Sequence, residues 1–110
     1  MTRNVAKDGF TTVLKSPNLA SDQELVAAQG AGVKIRVVSM IVNCSGGANT
    51  MTFKSGTTAI TPTFSFSANG GMVLERQREG WFETSANQAL NVNLGSATTV
   101  GLQINYILST

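Results

Sequence analysis

The chain has 110 residues, 42% of them apolar and only 13% charged, with 8 basic and 6 acidic side chains and no histidine. That length holds one domain with one core. A net charge of +2 without a run of one sign gives no basic stripe for nucleic acid, and no segment approaches the ~18 consecutive apolar residues of a membrane span.

The start, "MTRNVAKDGF", lacks the apolar stretch of a secretory signal. A protein that stays where it is made, or leaves by lysis or inside a particle, is expected. Residues 1–30 read as an N-terminal arm and residues 31–110 as the folded domain. In the arm, residues 10–15 and 24–28 are candidate extended stretches, separated by a break at Ser16-Pro17-Asn18. A helix over 21–28 is the alternative, because Ser21 and Glu24 make a capping-box pattern. Such an arm is suited to anchoring on a neighbour, and an edge strand is the alternative.

From Val33 the pattern is all β. "VKIRVVSMIVNC" places Lys34 and Arg36 on one face and Ile35 and Val37 on the other, then becomes apolar on both faces. That change predicts either a bulge at Val37-Val38 or a partner covering the second face. Cys44, at the end of this run, reads as a small buried hydrophobe. "SGGAN" is a turn, and "TMTFKS", "TTAI", "TFSFS", "MVL", "GWFETSA", "ALNVNLGS" and "TVGLQINYILST" are strands, with further turns at "ANGG" and Asn87. Seven to eight short strands at this spacing predict an antiparallel β-sandwich or jelly roll. Its inward set is Met51, Phe53, Phe64, Phe66, Leu90, Val92, Leu94, Leu102, Ile104 and Tyr106.

The densest charge lies in "ERQRE", Glu75 to Glu79, just before the chain's one tryptophan, Trp81. Glu75 with Glu79 or Glu83 is the minimum carboxylate pair for glycoside hydrolysis. The interleaved Arg76 and Arg78 instead favour a mutually neutralising loop, so neither a catalytic residue nor a metal or cofactor site is expected. Successive residues of a strand face opposite ways, so of Trp81 and Phe82 one enters the core and the other needs cover. Burial between subunits is one reading of Trp81. The other is stacking on a sugar ring, with Glu83, Asn87, Asn91 and Asn93 as hydrogen-bonding partners.

The segments "KIRVVSMIV", "TFKSGTTAI", "SANGGMVL", "GWFETSANQALNVNL" and "GLQINYI" together resemble small virion proteins of tailed bacteriophages and prophages. Upstream, "LVAAQGAGVKIRV" fits the same pattern, so the resemblance covers roughly residues 24–110. It implies a β-sandwich head-decoration (cement) or head-fibre protein, generally trimeric, on the outer capsid surface. The implied partners are the major capsid protein and two further copies of the chain, after synthesis in the host cytoplasm. A capsid-gripping role for the first 20 residues comes from their own pattern and not from the resemblance. Interface residues on this reading are Arg3, Phe10, Leu14 and Lys15 in the arm, and Glu75, Arg76, Arg78, Glu79 and Trp81 in the charged loop. A carbohydrate-binding module is the alternative.

Overall fold

The computed structural model describes residues 10–110, so Arg3 lies outside the described residues. Ten strands run in chain order: β1 (Thr11–Lys15), β2 (Asp22–Val26), β3 (Lys34–Asn43), β4 (Asn49–Ser55), β5 (Thr58–Ala59), β6 (Phe64–Phe66), β7 (Gly71–Leu74), β8 (Phe82–Glu83), β9 (Leu90–Leu94) and β10 (Gly101–Ser109). They form two antiparallel sheets packed face to face, a β-sandwich. Sheet A has the order β1-β10-β3-β7, with β8 also on β3. Sheet B has the order β2-β9-β4-β5, with β6 also on β4. Among the described residues there is no helix long and apolar enough to cross a membrane.

Eight of the strands lie beyond residue 30, and the other two come from the arm. β1 pairs with β10 at one edge of sheet A, and β2 pairs with β9 at one edge of sheet B. The capping pattern at Ser21 and Glu24 therefore opens no helix. Asp22–Val26 is extended, because pairing with β9 buries Leu25 and Val26 against the core. A register shift between Glu24 and Val26 turns these two consecutive side chains inward together.

The core follows the two-residue period of the strands. Met51 and Phe53 of β4, Leu90, Val92 and Leu94 of β9, and Leu102 and Ile104 of β10 are buried, joined by Ile35, Val37, Met40, Val42, Cys44 and Val100. Burying each such side chain stabilises the fold by about 1.5–3 kcal/mol. Phe64, Phe66 and Tyr106 are only half-buried, because they pack at the margin of the core and not between the sheets. Phe82 stacks on Phe53, with ring centroids 4.9 Å apart. Burial pushes the Cys44 thiol above its ordinary pKa, as expected of a small buried hydrophobe.

The change of pattern in β3 is a bulge. Asn105 pairs with Ser39 and Tyr106 with Val37, which leaves Val38 without a partner on β10. The inward set of β3 accordingly shifts from Ile35 and Val37 to Met40 and Val42. Val38 is buried but stands apart from the inner core, covered from outside by Ile107, Phe10 and the two arginines of the charged loop.

Candidate interaction surface

Two strands share the free side of β3. β7 pairs with Met40–Asn43 and β8 pairs with Arg36 and Val37, and the charged loop, residues 75–81, leaves the sheet between them. The bulge anchors this loop. Successive carbonyls of a regular strand point to opposite sides, but Val37 and Val38 both point theirs toward the loop. Val38 accepts a hydrogen bond from the Gln77 amide and Val37 from the Trp81 amide, each at 2.8 Å. A turn closed by Gly80 N–H to the Gln77 carbonyl fits between them, with Gly80 at φ +83°. A Cβ at Gly80 would come within 2.7 Å of Arg36 Cδ and nearer still to Cγ, so sterics and backbone conformation both require glycine.

The anchored loop separates two concavities. One, of about 340 Å³, lies at an end of the outer face of sheet A and is lined by Phe10, Val38, Arg76, Arg78 and Ile107. The Arg76 guanidinium stands over the Phe10 ring at 5.0 Å from its centroid. The second, of about 320 Å³, is a groove along one flank of the sandwich, lined by Ile60, Thr61, Pro62, Phe64, Met72, Leu74, Trp81 and Phe82. Trp81 stands at its lip, 42% exposed, its indole N–H fixed by a 2.7 Å hydrogen bond to the Glu75 carbonyl.

The predicted loop residues thus divide. Arg76 stands over Phe10 and Arg78 lines the same concavity, whereas Trp81 faces the groove and Glu75 and Glu79 are exposed. Elsewhere, ion pairs join Arg36 to Glu83 and Lys54 to Asp22. Glu83 accepts from Arg36 Nε at 2.9 Å and Ser109 Oγ at 2.8 Å. Burial raises its pKa, but the Ser109 and Arg36 hydrogen bonds and the charges of Arg36 and Lys34 outweigh this and hold the carboxyl below its ordinary value. Among the described residues, no group of three or more carboxylate or thiol side chains is gathered for a metal ion.

The outer faces of the two sheets differ in kind. On sheet A, cross-strand neighbours Leu14, Gln103, Ile41 and Val73 form one row across all four strands. Leu14 is 71%, Ile41 49% and Val73 68% exposed. Beside this row runs a polar one, in which Thr12 Oγ1 donates to Asn105 Oδ1 and Asn105 Nδ2 to Ser39 Oγ, both at 2.6 Å. Neither row carries a charge. Leu14 and Lys15 also line a shallow concavity with Ile41, Asn43 and Gly101.

Sheet B presents Thr50, Thr52, Lys54, Asn91, Asn93, Asp22 and Glu24 outward. They are tied together by Lys54–Asp22, by Asn93 Nδ2 to Asp22 Oδ1 at 2.7 Å and by Asn91 Nδ2 to the Gly56 carbonyl at 2.7 Å. The residues considered for a sugar site therefore do not converge. Asn91 and Asn93 lie on sheet B and Glu83 is engaged by Arg36 and Ser109, while Trp81 borders the flank groove.

The residues that pattern reading missed are Ile41, Val73, Ile60, Pro62, Met72 and Leu74. For Ile41 and Val73 a signal was present, since each falls in a strand that is apolar on both faces. Comparison with protein-family models, with curated proteins and with solved structures gave no match.

Proposed function

We propose that the chain is a structural protein of a virion, a decoration protein that sits as a homotrimer on the outer capsid surface and stabilises the head by binding the major capsid protein. The observation that carries this reading is the contrast between the two outer faces. The outer face of sheet A has an uncharged stretch crossed by the row Leu14, Ile41 and Val73, with the charges of Arg36 and Glu83 farther along β3, while sheet B is polar and internally hydrogen-bonded. Three exposed aliphatic side chains in one row lose solvent contact favourably when another protein covers them. An exposed apolar row with uncharged neighbours fits a large protein surface better than a small ligand, which needs a concave site with converging polar groups. Phe10, Leu14 and Lys15 lie on or beside this face, so the β1 part of the arm belongs to the same surface.

Mass spectrometry of purified tailed particles, from cells that carry the gene, tests the reading. The chain should be recovered with the heads in a fixed ratio to the major capsid protein, and Ile41→Lys with Val73→Lys should abolish its retention. Heads without the chain, or retention unaffected by the double variant, would refute it.

A further inference from the structure

We propose that the flank groove beside Trp81 is the surface through which this chain binds further copies of itself. This rests on the trimeric reading above and assigns its interface. The lips of the groove belong to different sheets. Met72, Leu74, Trp81 and Phe82 come from the β7–β8 side of sheet A, and Ile60, Pro62 and Phe64 from the β5–β6 side of sheet B.

Four features select a second copy as the occupant. No ionisable side chain lines the groove, so nucleic acid, anionic lipid and charged peptides find no complement there, and a neutral apolar surface does. The Trp81 indole is held in place before any partner arrives, and a preordered aromatic anchor loses little entropy on binding. The molecule measures 36 × 27 × 25 Å, so a flank offers roughly the 800 Å² per partner of a standard interface. Thr61 lines the groove and exposed Thr63 and Ser65 adjoin Phe64 at its lip, a polar margin beside an apolar centre as in such contacts.

The two lips also define a symmetry. If the Trp81 lip of one copy packs on the Ile60–Phe64 lip of the next, the contact is heterologous, and a threefold rotation between copies closes it into a ring. The edge strands on this flank are two to four residues long, too short for continuous strand pairing between copies. Side-chain packing therefore carries the contact.

Sedimentation equilibrium of the full chain tests this, with Trp81→Glu and Pro62→Glu in the groove and Val73→Lys on sheet A as the contrast. The wild type should be trimeric at micromolar concentration. Both groove variants should weaken association by about a hundredfold or more, the effect of losing a central anchor, and Val73→Lys should leave it unchanged. As the only tryptophan, Trp81 should also shift its emission to the red when the wild type is diluted into its monomeric range. Pro62 is exposed, so the Pro62→Glu variant tests the contact even if Trp81→Glu fails to fold. Trimers that survive in both groove variants, or that only Val73→Lys dissociates, overturn this assignment and leave the trimeric reading intact. A monomeric wild type overturns both.

Discussion

Gly80→Ala tests whether the bulge and its loop are built as described. The backbone cost comes from φ +83°, a conformation about 1–2 kcal/mol less favourable for an L-residue than for glycine. The steric cost comes from the new Cβ, which would collide with Arg36 Cγ and Cδ. Overpacking of this kind typically costs about 1–3 kcal/mol. The sum is about 2–5 kcal/mol, a large share of the ~5–15 kcal/mol that holds a domain of this size together. Urea denaturation followed by far-UV circular dichroism would read the loss as a lower midpoint with an unchanged slope. The two contributions separate in an Arg36→Ala background, where the Cγ and Cδ collision is gone and the φ cost remains with a 3.2 Å approach to the Val37 carbonyl. The double mutant should therefore be more stable than the sum of the single variants implies, by about 1–3 kcal/mol. Strict additivity would refute the claim that Gly80 packs on Arg36, and a neutral Gly80→Ala would refute the loop geometry itself.

Asn49 is buried in β4, and its amide donates to the Ser96 and Thr98 carbonyls and Thr98 Oγ1 while accepting from the Thr50 and Ser96 amides. Asn49→Ala should cost about 2–4 kcal/mol from these lost bonds, read as a fall in melting temperature, and Asn49→Asp should not restore it because a carboxylate would face two carbonyls. Glu83 has a depressed folded-state pKa, so its contribution is present above the unfolded carboxyl value and is lost as pH falls through the folded one. Stability of Glu83→Gln should fall less steeply with acid than that of the wild type over that window, and identical profiles would refute the role given to Arg36 and Ser109.

The core was legible because alternation is a local signal. "TMTFKS" and "ALNVNLGS" state their inward residues outright, and Met51, Phe53, Leu90, Val92 and Leu94 are all buried. The bulge was legible for a similar reason, since two adjacent valines interrupt an alternation that resumes one residue later. The groove was not. Phe64 reads as core from "TFSFS", and Ile60 and Pro62 read as strand end and turn. Only the sheet order, which puts β5 and β6 at one edge and β7 and β8 at the other, leaves them half-covered. The helix alternative in the arm failed because pairing with β9 outweighs a capping pattern with few helical turns behind it.

The charged loop is best understood through the count of residues along β3. Between Met40, which pairs with Leu74, and Val37, which pairs with Phe82, β3 has only Ser39 and Val38, while the edge has residues 75–81. Seven residues cannot lie flat against two, so the excess must leave the sheet. The bulge supplies two carbonyls on one side, and these fix where the excess departs and returns. The loop can carry charge because residues 75–79, unlike the strands that flank them, are exposed to solvent. The same two hydrogen bonds that hold the loop with Arg76 over Phe10 also turn Trp81 toward the flank. One irregularity in β3 thereby gives the chain two distinct surfaces, a basic one beside the face of sheet A and an apolar one at its edge.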